Sequence, residues 1–430
     1  RRRSTMMTPV ARRPGLLIVT SAFAAMLLAA NLATPLYAVY SQRFSFSTAV
    51  LALVFAVYAL VLIPALLIFG QLSDRLGRRP VIALGLGLAV VALVLFAVAS
   101  GTAWLFAARG MLGVAQGMLS GAATAALVEL VGDQPRRAAL LATLAQVGGS
   151  AAGVLLCGVL AQWAPWPLVL PFAAGMAVCL LAGIGLWLVP ETAGHRSGGL
   201  RIRTPRVPTA IRGPFLRVGL TAAAVWAVAA GLFLSVMPSY AGQLVVHSDN
   251  LALLALLTSI VLLASFATQL LLRNGAPPAA TQAGGLMLLA AGLAALVAAA
   301  PARSWVLLVA GAALAGIGHG AAYLAAQDDL TRIAPNEQRA EVSAAFYVCI
   351  YLGVSLPVIG IGILADLTTL FTAVTTFAVV TGACALIVAA WHLRHRGGTE
   401  APAGHRPEGT GRAIRDMVRG GRPGEVRVLG

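Results

Sequence analysis

Charge is the scarcest commodity in this chain. Only 10% of its 430 residues are charged, against about a quarter in an ordinary soluble domain. Lysine is absent, so all 30 basic residues are arginine, and Asp and Glu together number 14. With so few acids, and none in the middle of an apolar run, the sequence holds no metal-ligand cluster, nucleophile–base pair or phosphate-binding glycine loop. An enzyme is not expected, nor a cofactor. The four cysteines, Cys157, Cys179, Cys349 and Cys384, each sit inside an apolar run, where a thiol behaves as a small hydrophobe and says nothing of redox compartment.

What is abundant is apolar. Hydrophobic residues make up 59% of the chain, more than one aqueous core could bury. They come in runs of roughly 20, which is the length of a helix that crosses a bilayer. Because lipid offers no partner to an unpaired backbone group, such runs must be helical. Bounded by Arg, Gly, Pro and Asp, they fall at 15–39, 48–71, 80–100, 103–130, 138–162 and 167–189. After a polar stretch the pattern resumes at 214–240, 249–272, 281–300, 303–327, 340–364 and 367–392. The expected organisation is a cytoplasmic segment 1–14, a six-helix half 15–190, a linker 191–213, a second six-helix half 214–392 and a basic, disordered tail 393–430. The first run is too long for a signal-peptide core and is expected to be a retained span.

The net charge of +16 would suit a nucleic-acid binder, but its placement argues otherwise. All but three arginines flank the runs on alternate loops and at the two ends; the exceptions are Arg43 and Arg303 in the opposite loops and Arg109 within a run. Basic residues in short loops stay on the cytoplasmic side. Both termini are therefore expected in the cytoplasm, with the chain multi-pass in the plasma (inner) membrane. No nucleic-acid partner is needed to explain the charge, and the tail is expected to rest on anionic lipid.

One loop is chemically distinctive. Gly70-Gln71-Leu72-Ser73-Asp74-Arg75-Leu76-Gly77-Arg78-Arg79-Pro80 sits between the second and third runs. Gly70 and Gly77 permit close backbone approach and unusual dihedrals, Asp74 supplies an anion, and Arg75, Arg78 and Arg79 supply bidentate donors. Such a cluster can lock neighbouring helix ends in one conformation and release them in another. A loop that was only a topology signal would need neither the glycines nor the Asp in register.

These residues resemble the signature loop of the major facilitator superfamily, Gly-x-Leu-Ser/Ala-Asp-Arg-x-Gly-Arg-Arg. The resemblance implies an all-α integral membrane fold of about twelve helices in two six-helix halves. It also implies that Asp74 faces the N-terminus of the eleventh span, near Arg339 to Ser343, and that a loop arginine pairs with an acid at the base of the fourth, a position Glu129 fits. Arg109-Gly110-Met111-Leu112-Gly113-Val114-Ala115-Gln116-Gly117 is similar to the family's fourth-span signature, and Pro190-Glu191-Thr192 closes the sixth span as in many members. Together they resemble bacterial drug:proton antiporters of the multidrug efflux type. Gly149-Ser150-Ala151-Ala152-Gly153 departs from them by lacking the Gly-Pro step of the antiporter motif, and the loop after span eight keeps only Arg273 of the first-half pattern.

Ionisable groups at membrane depth are functional candidates by default. Arg109 is followed at offsets of 7, 11 and 15 by Gln116, Ser120 and Thr124, a helical face expected to line a cavity. Gly113, Gly117 and Gly121 form a small-residue ridge suited to packing beside it. His319, Tyr323 and Gln327 make a second stripe, and the imidazole is the side chain best suited to exchange protons near neutrality. Arg109 and His319 are the proton-coupling candidates. The resemblance adds lining from spans one and seven: Asn31, Thr34, Pro35 and Tyr37, then Trp226, Ser235 and Tyr240, with Tyr58, Tyr347 and Tyr351 as further aromatics. Gly353, Pro357 and Gly360 are expected to let span eleven bend. Asp328 and Asp329, beside Arg332 and Arg339, are read as gate or surface ion-pair partners.

Unlike many drug:proton antiporters, the chain has no mid-span carboxylate in spans one, four, seven or ten. A mostly apolar cavity with one fixed cation suits neutral or weakly acidic lipophilic molecules. The expected function is export of such molecules by alternating access, proton-coupled, by a monomer whose partners are the substrate, protons and lipids. The alternatives are a uniporter or importer of a sugar or small metabolite and, from another class, a non-transporting sensor or scaffold acting through its tail.

Overall fold

The computed structural model describes residues 9–69, 72–132, 134–191, 205–274, 277–335 and 338–395. Gly70, linker residues 192–204, the tail from 396 and the short helix considered around Arg412–Arg419 lie outside the described residues.

Among the described residues twelve helices are long and apolar enough to cross a membrane. They are α1 (Pro14–Phe44), α2 (Thr48–Phe69), α3 (Arg78–Ala97), α4 (Thr102–Val131), α5 (Arg137–Trp163) and α6 (Leu170–Leu188) in the first half. The second half holds α7 (Thr209–Phe233), α8 (Leu251–Leu271), α9 (Pro278–Ala299), α10 (Trp305–Ile333), α11 (Glu341–Leu367) and α12 (Leu370–Arg394). Among the described residues there is no strand. A short helix, Leu72–Leu76, carries the charged loop.

Helix pairing repeats between the halves. α4 packs on α1, α2 and α3, and α10 packs on α7, α8 and α9 in the same pattern. The halves meet along two seams, α2 with α11 and α5 with α8. Between lipid-immersed helices the driving force is close packing rather than water exclusion, so small residues mark the seams. A Cβ at Gly113 would stand 2.6 Å from the Tyr58 carbonyl, and one at Gly117 2.7 Å from the Ala65 Cβ. The glycine ridge of α4 therefore packs on α2, leaving the face with Arg109 and Gln116 for the interior. Leu188, Leu271 and Leu367 are 77–82% exposed, as an apolar surface facing hydrocarbon would be.

Two spans are irregular where the sequence removes backbone donors or crowds the turn. In α1 the helix ends at Asn31, passes through a 3-10 turn at Thr34–Leu36 and resumes at Tyr37. Pro35 has no N–H to continue the ladder. α7 widens into π-type turns over Ala227–Phe233, and the chain continues through Met237–Tyr240 to a second π stretch at Ala241–Val246. By contrast, the helix of α11 runs unbroken from Arg339 to Leu367 through Pro357. Gly353 serves close approach there, since a Cβ would lie 2.7 Å from that of Ala223 in α7.

Candidate functional site

Three polar constellations are arranged along the bundle, one at the end carrying Leu72–Arg79 (the loop end), one midway, and one at the far end.

At the loop end Arg78 organises the charges. Its Nη1 meets Asp74 at 2.6 Å and donates to Ser73 Oγ at 2.7 Å, while Nη2 and Nε reach Glu129 Oε1 at 2.9 and 3.2 Å. This is the fork geometry only arginine provides. The Glu191 carboxylate accepts the backbone N–H of Arg78 at 2.7 Å and of Arg79 at 3.1 Å, so it caps the positive end of α3. Gly77, with φ +101°, makes the turn, and a Cβ there would run into that carboxylate. Arg79 lies over the Trp187 ring at 4.6 Å. Arg75, in the same short helix, takes no part in this network.

Midway, a cavity between the halves is lined by Asn31, Phe55, Tyr58, Arg109, Gln116, Gln146 and Ser150 on one side and Trp226, Tyr323, Tyr347 and Tyr351 on the other. Its volume is about 60 Å³, well below the roughly 300–1,000 Å³ of a small-molecule pocket. It must widen to admit an organic molecule. Arg109 is 2% exposed. Its Nη1 donates to the Ala30 carbonyl at 2.8 Å, beside the break in α1, and its Nε has no partner. In place of a carboxylate the guanidinium has aromatic faces, Phe55 at 4.4 Å, Tyr58 at 4.8 Å and Tyr37 at 5.7 Å, which offset part of its burial through the ring quadrupoles. Gln116 donates one amide hydrogen to Ser120 at 2.8 Å and leaves its other amide atom unpartnered. Asn31 bonds Ser150 of α5 at 3.0 Å.

At the far end the halves are joined by hydrogen bonds. Asp366 of α11 accepts the N–H groups of Thr48 and Ala49, both at 3.0 Å, at the start of α2. Gln162 of α5 accepts the N–H of Leu251, the first residue of α8, at 2.7 Å. Glycines close both seams: a Cβ at Gly362 would lie 3.0 Å from the Thr48 carbonyl, and one at Gly158 2.9 Å from that of Leu251.

Of the residues expected from sequence to line the cavity, Asn31, Tyr58, Gln116, Trp226, Tyr323, Tyr347 and Tyr351 do so, together with Arg109. Seven do not, Pro35, Thr124 and Tyr240 among them. Ser120 stands behind Gln116 as its hydrogen-bond partner, and Tyr37 stands behind Phe55 at 6.4 Å between ring centroids. Thr34 is buried in the 3-10 turn, and Ser235 lines a separate far-end pocket with Ser41, Ser239 and Gln243. His319 is fully buried behind the lining, its ring 5.1 Å from that of Trp226 and 5.7 Å from that of Tyr323, with Nδ1 2.8 Å from Ser265 Oγ. Asp74 is engaged by Arg78, one turn along. Asp329 accepts from Gln282 of α9 at 3.2 Å. Sequence reasoning missed Glu191 as a cap, Gln146 and Ser150 as lining, and Asp366 and Gln162 as cross-half links. Gln146 and Ser150 were within reach, being four apart on an apolar helix, the same signal that marked α4.

Paired six-helix halves around a central cavity define a membrane carrier. The chain belongs to the Major Facilitator Superfamily, whose family model matches residues 18–356 and, in a second match, 281–422. Over 145 residues it is 35% identical to the multidrug efflux pump LfrA of Mycolicibacterium smegmatis, a match covering 33% of this chain and 28% of that pump. Its fold is similar to that of a bacterial homologue of the human lysosomal transporter Spinster. Against the inward-facing, unoccupied structure of that protein the TM-score is 0.68 at 20% identity, covering 91% of this chain and 98% of the other. Against the occupied form the values are 0.66, 19%, 90% and 97%.

Proposed function

We propose that this transporter exports small lipophilic molecules from the cytoplasm by alternating access, coupled to protons. The observation that carries the reading is the position of the central cavity between halves that are hydrogen-bonded across their far end. With the arginine-rich loop end in the cytoplasm, this is a state closed to the outside. Rocking of residues 15–190 against 214–392 about the cavity would open the far end. The partial likeness to an efflux pump supports the outward direction. Proton coupling is assigned to His319, behind Trp226 and Tyr323, with Arg109 as the fixed charge on the other wall.

Reconstituted protein tests this directly. In a background without native cysteines, Gln162→Cys paired with Leu251→Cys bridges α5 and α8 at the far end. Oxidation is expected to stop dye efflux and reduction to restore it. Undiminished efflux in the cross-linked protein would overturn alternating access. Uptake into inverted vesicles, whose cytoplasmic face is outward, that ignores an imposed pH gradient would overturn the coupling.

A further inference from the structure

The cavity holds one fixed charge without a counter-ion. Arg109 is 2% exposed, donates one N–H to Ala30, leaves Nε unpartnered and has rings rather than a carboxylate around it. A guanidinium at membrane depth is costly to keep unpaired. Its burial is offset most by a ligand that brings the missing negative charge. Seven residues further along α4, about 10 Å at helical rise, Gln116 is also 2% exposed and keeps one amide atom unpartnered. The rest of the lining carries no charge: it is apolar or aromatic at Phe55, Trp226, Ile350 and Val354, with neutral polar groups at Asn31, Gln146 and Ser150.

We infer that the substrate is a lipophilic monocarboxylate, its anionic head on Arg109 and its apolar body, about 10 Å long, reaching towards Gln116. The inference rests on the central cavity being the transport site. A single guanidinium neutralises one negative charge, so a dianion would carry an uncompensated charge into low dielectric. A cation would meet like charge, and a neutral ligand could accept from Arg109 but would bring no counter-charge, giving the weaker hydrogen bond.

Three probes on one naphthylmethyl scaffold separate these cases: 2-naphthylacetate, its isosteric primary amide, and the bulkier cation (2-naphthylmethyl)trimethylammonium. Binding to the purified full-length transporter is read by quenching of tryptophan fluorescence and by isothermal titration. The acid is expected to bind about tenfold or more tighter than the amide, the lower range for a charge-assisted hydrogen-bonded pair, and the cation weakest. Arg109→Gln is expected to bring acid and amide to the same affinity, while Arg109→Lys keeps part of the preference. Thermal unfolding and gel filtration establish that both variants are folded. Should Arg109→Gln not fold, the wild-type ranking and Arg109→Lys still decide the matter. Equal binding of acid and amide by the wild type, tighter binding of the cation, no measurable binding of the acid, or an acid preference that survives in folded Arg109→Gln would each overturn the inference. Proteoliposomes divide the two readings. Acid that binds through Arg109 but is not moved refutes export and leaves the ligand class standing; efflux of amide and acid alike refutes the ligand class and leaves export standing.

Discussion

Replacing Asp366 by Ala should loosen the far end. The carboxylate accepts two backbone N–H groups of α2 at 3.0 Å, in the manner of an N-cap supplied from the other half. Losing an N-cap side chain costs about 0.5–2 kcal/mol. Asp366 is exposed and its charge is screened by solvent, which places the loss near 1 kcal/mol on that scale. Ser47 Oγ also accepts the Val50 N–H, at 3.4 Å, so α2 keeps a local cap and the loss falls mainly on the cross-half contact. About 1 kcal/mol corresponds to roughly a fivefold shift between far-closed and far-open populations. Leu234→Cys reports that shift, since Leu234 lines the central cavity and is 3% exposed. In a background without native cysteines, labelling by an impermeant maleimide added from outside should run about fivefold faster in Asp366→Ala. Asn retains one acceptor oxygen, and Asp366→Asn should fall in between. A labelling rate in Asp366→Ala equal to or below that of Leu234→Cys alone would refute the assignment of Asp366 as a far-end latch.

Gly77→Ala should destabilise the purified protein by about 2–3 kcal/mol, because the positive φ is strained for an L residue and the new Cβ displaces the Glu191 carboxylate; an unchanged melting temperature in detergent would contradict this. His319→Gln should keep efflux driven by a substrate gradient and lose its stimulation by an imposed pH gradient, and stimulation that persists would rule out His319 as the proton carrier. Asp74→Asn should act oppositely to Asp366→Ala, slowing outside labelling of Leu234→Cys, and a faster rate would remove Asp74 from the far-open state.

The helices were legible because hydropathy is a local property of the chain. The charged loop was legible for the same reason: Ser73, Asp74, Gly77 and Arg78 lie within one turn and a half. Contacts set by folding were not. Arg78 and Glu191 are 113 residues apart, Asn31 and Ser150 119, and Thr48 and Asp366 318, and no periodicity names such partners. Helical spacing chose the correct faces but not the depth behind them. Ser120 and Gln116 are one turn apart, as are His319 and Tyr323, and each step of four residues turns the side chain by about 40°. That rotation separates a residue at the cavity wall from one holding the wall in place.

The two ends of the bundle are fastened differently, and this bears on how the halves exchange states. Far-end bonds run between halves, from α11 to α2 and from α5 to α8, so opening there must break them. At the loop end Arg78 and Glu191 bond within the first half, joining the short helix, α3, α4 and the segment just beyond α6. They make one rigid base that can move as a body. Within that base the attachments of Arg78 are unequal. Glu129 is held through both Nη2 and Nε, whereas Asp74 takes Nη1 alone and shares it with Ser73. Detaching Asp74 leaves the guanidinium with three hydrogen bonds and a full counter-charge. Among these carboxylates Asp74 is therefore the one that can be exchanged at small cost. If the loop end closes as the far end opens, the helix N-terminus of α11, at Arg339, is an acceptor-seeking partner that can draw it away.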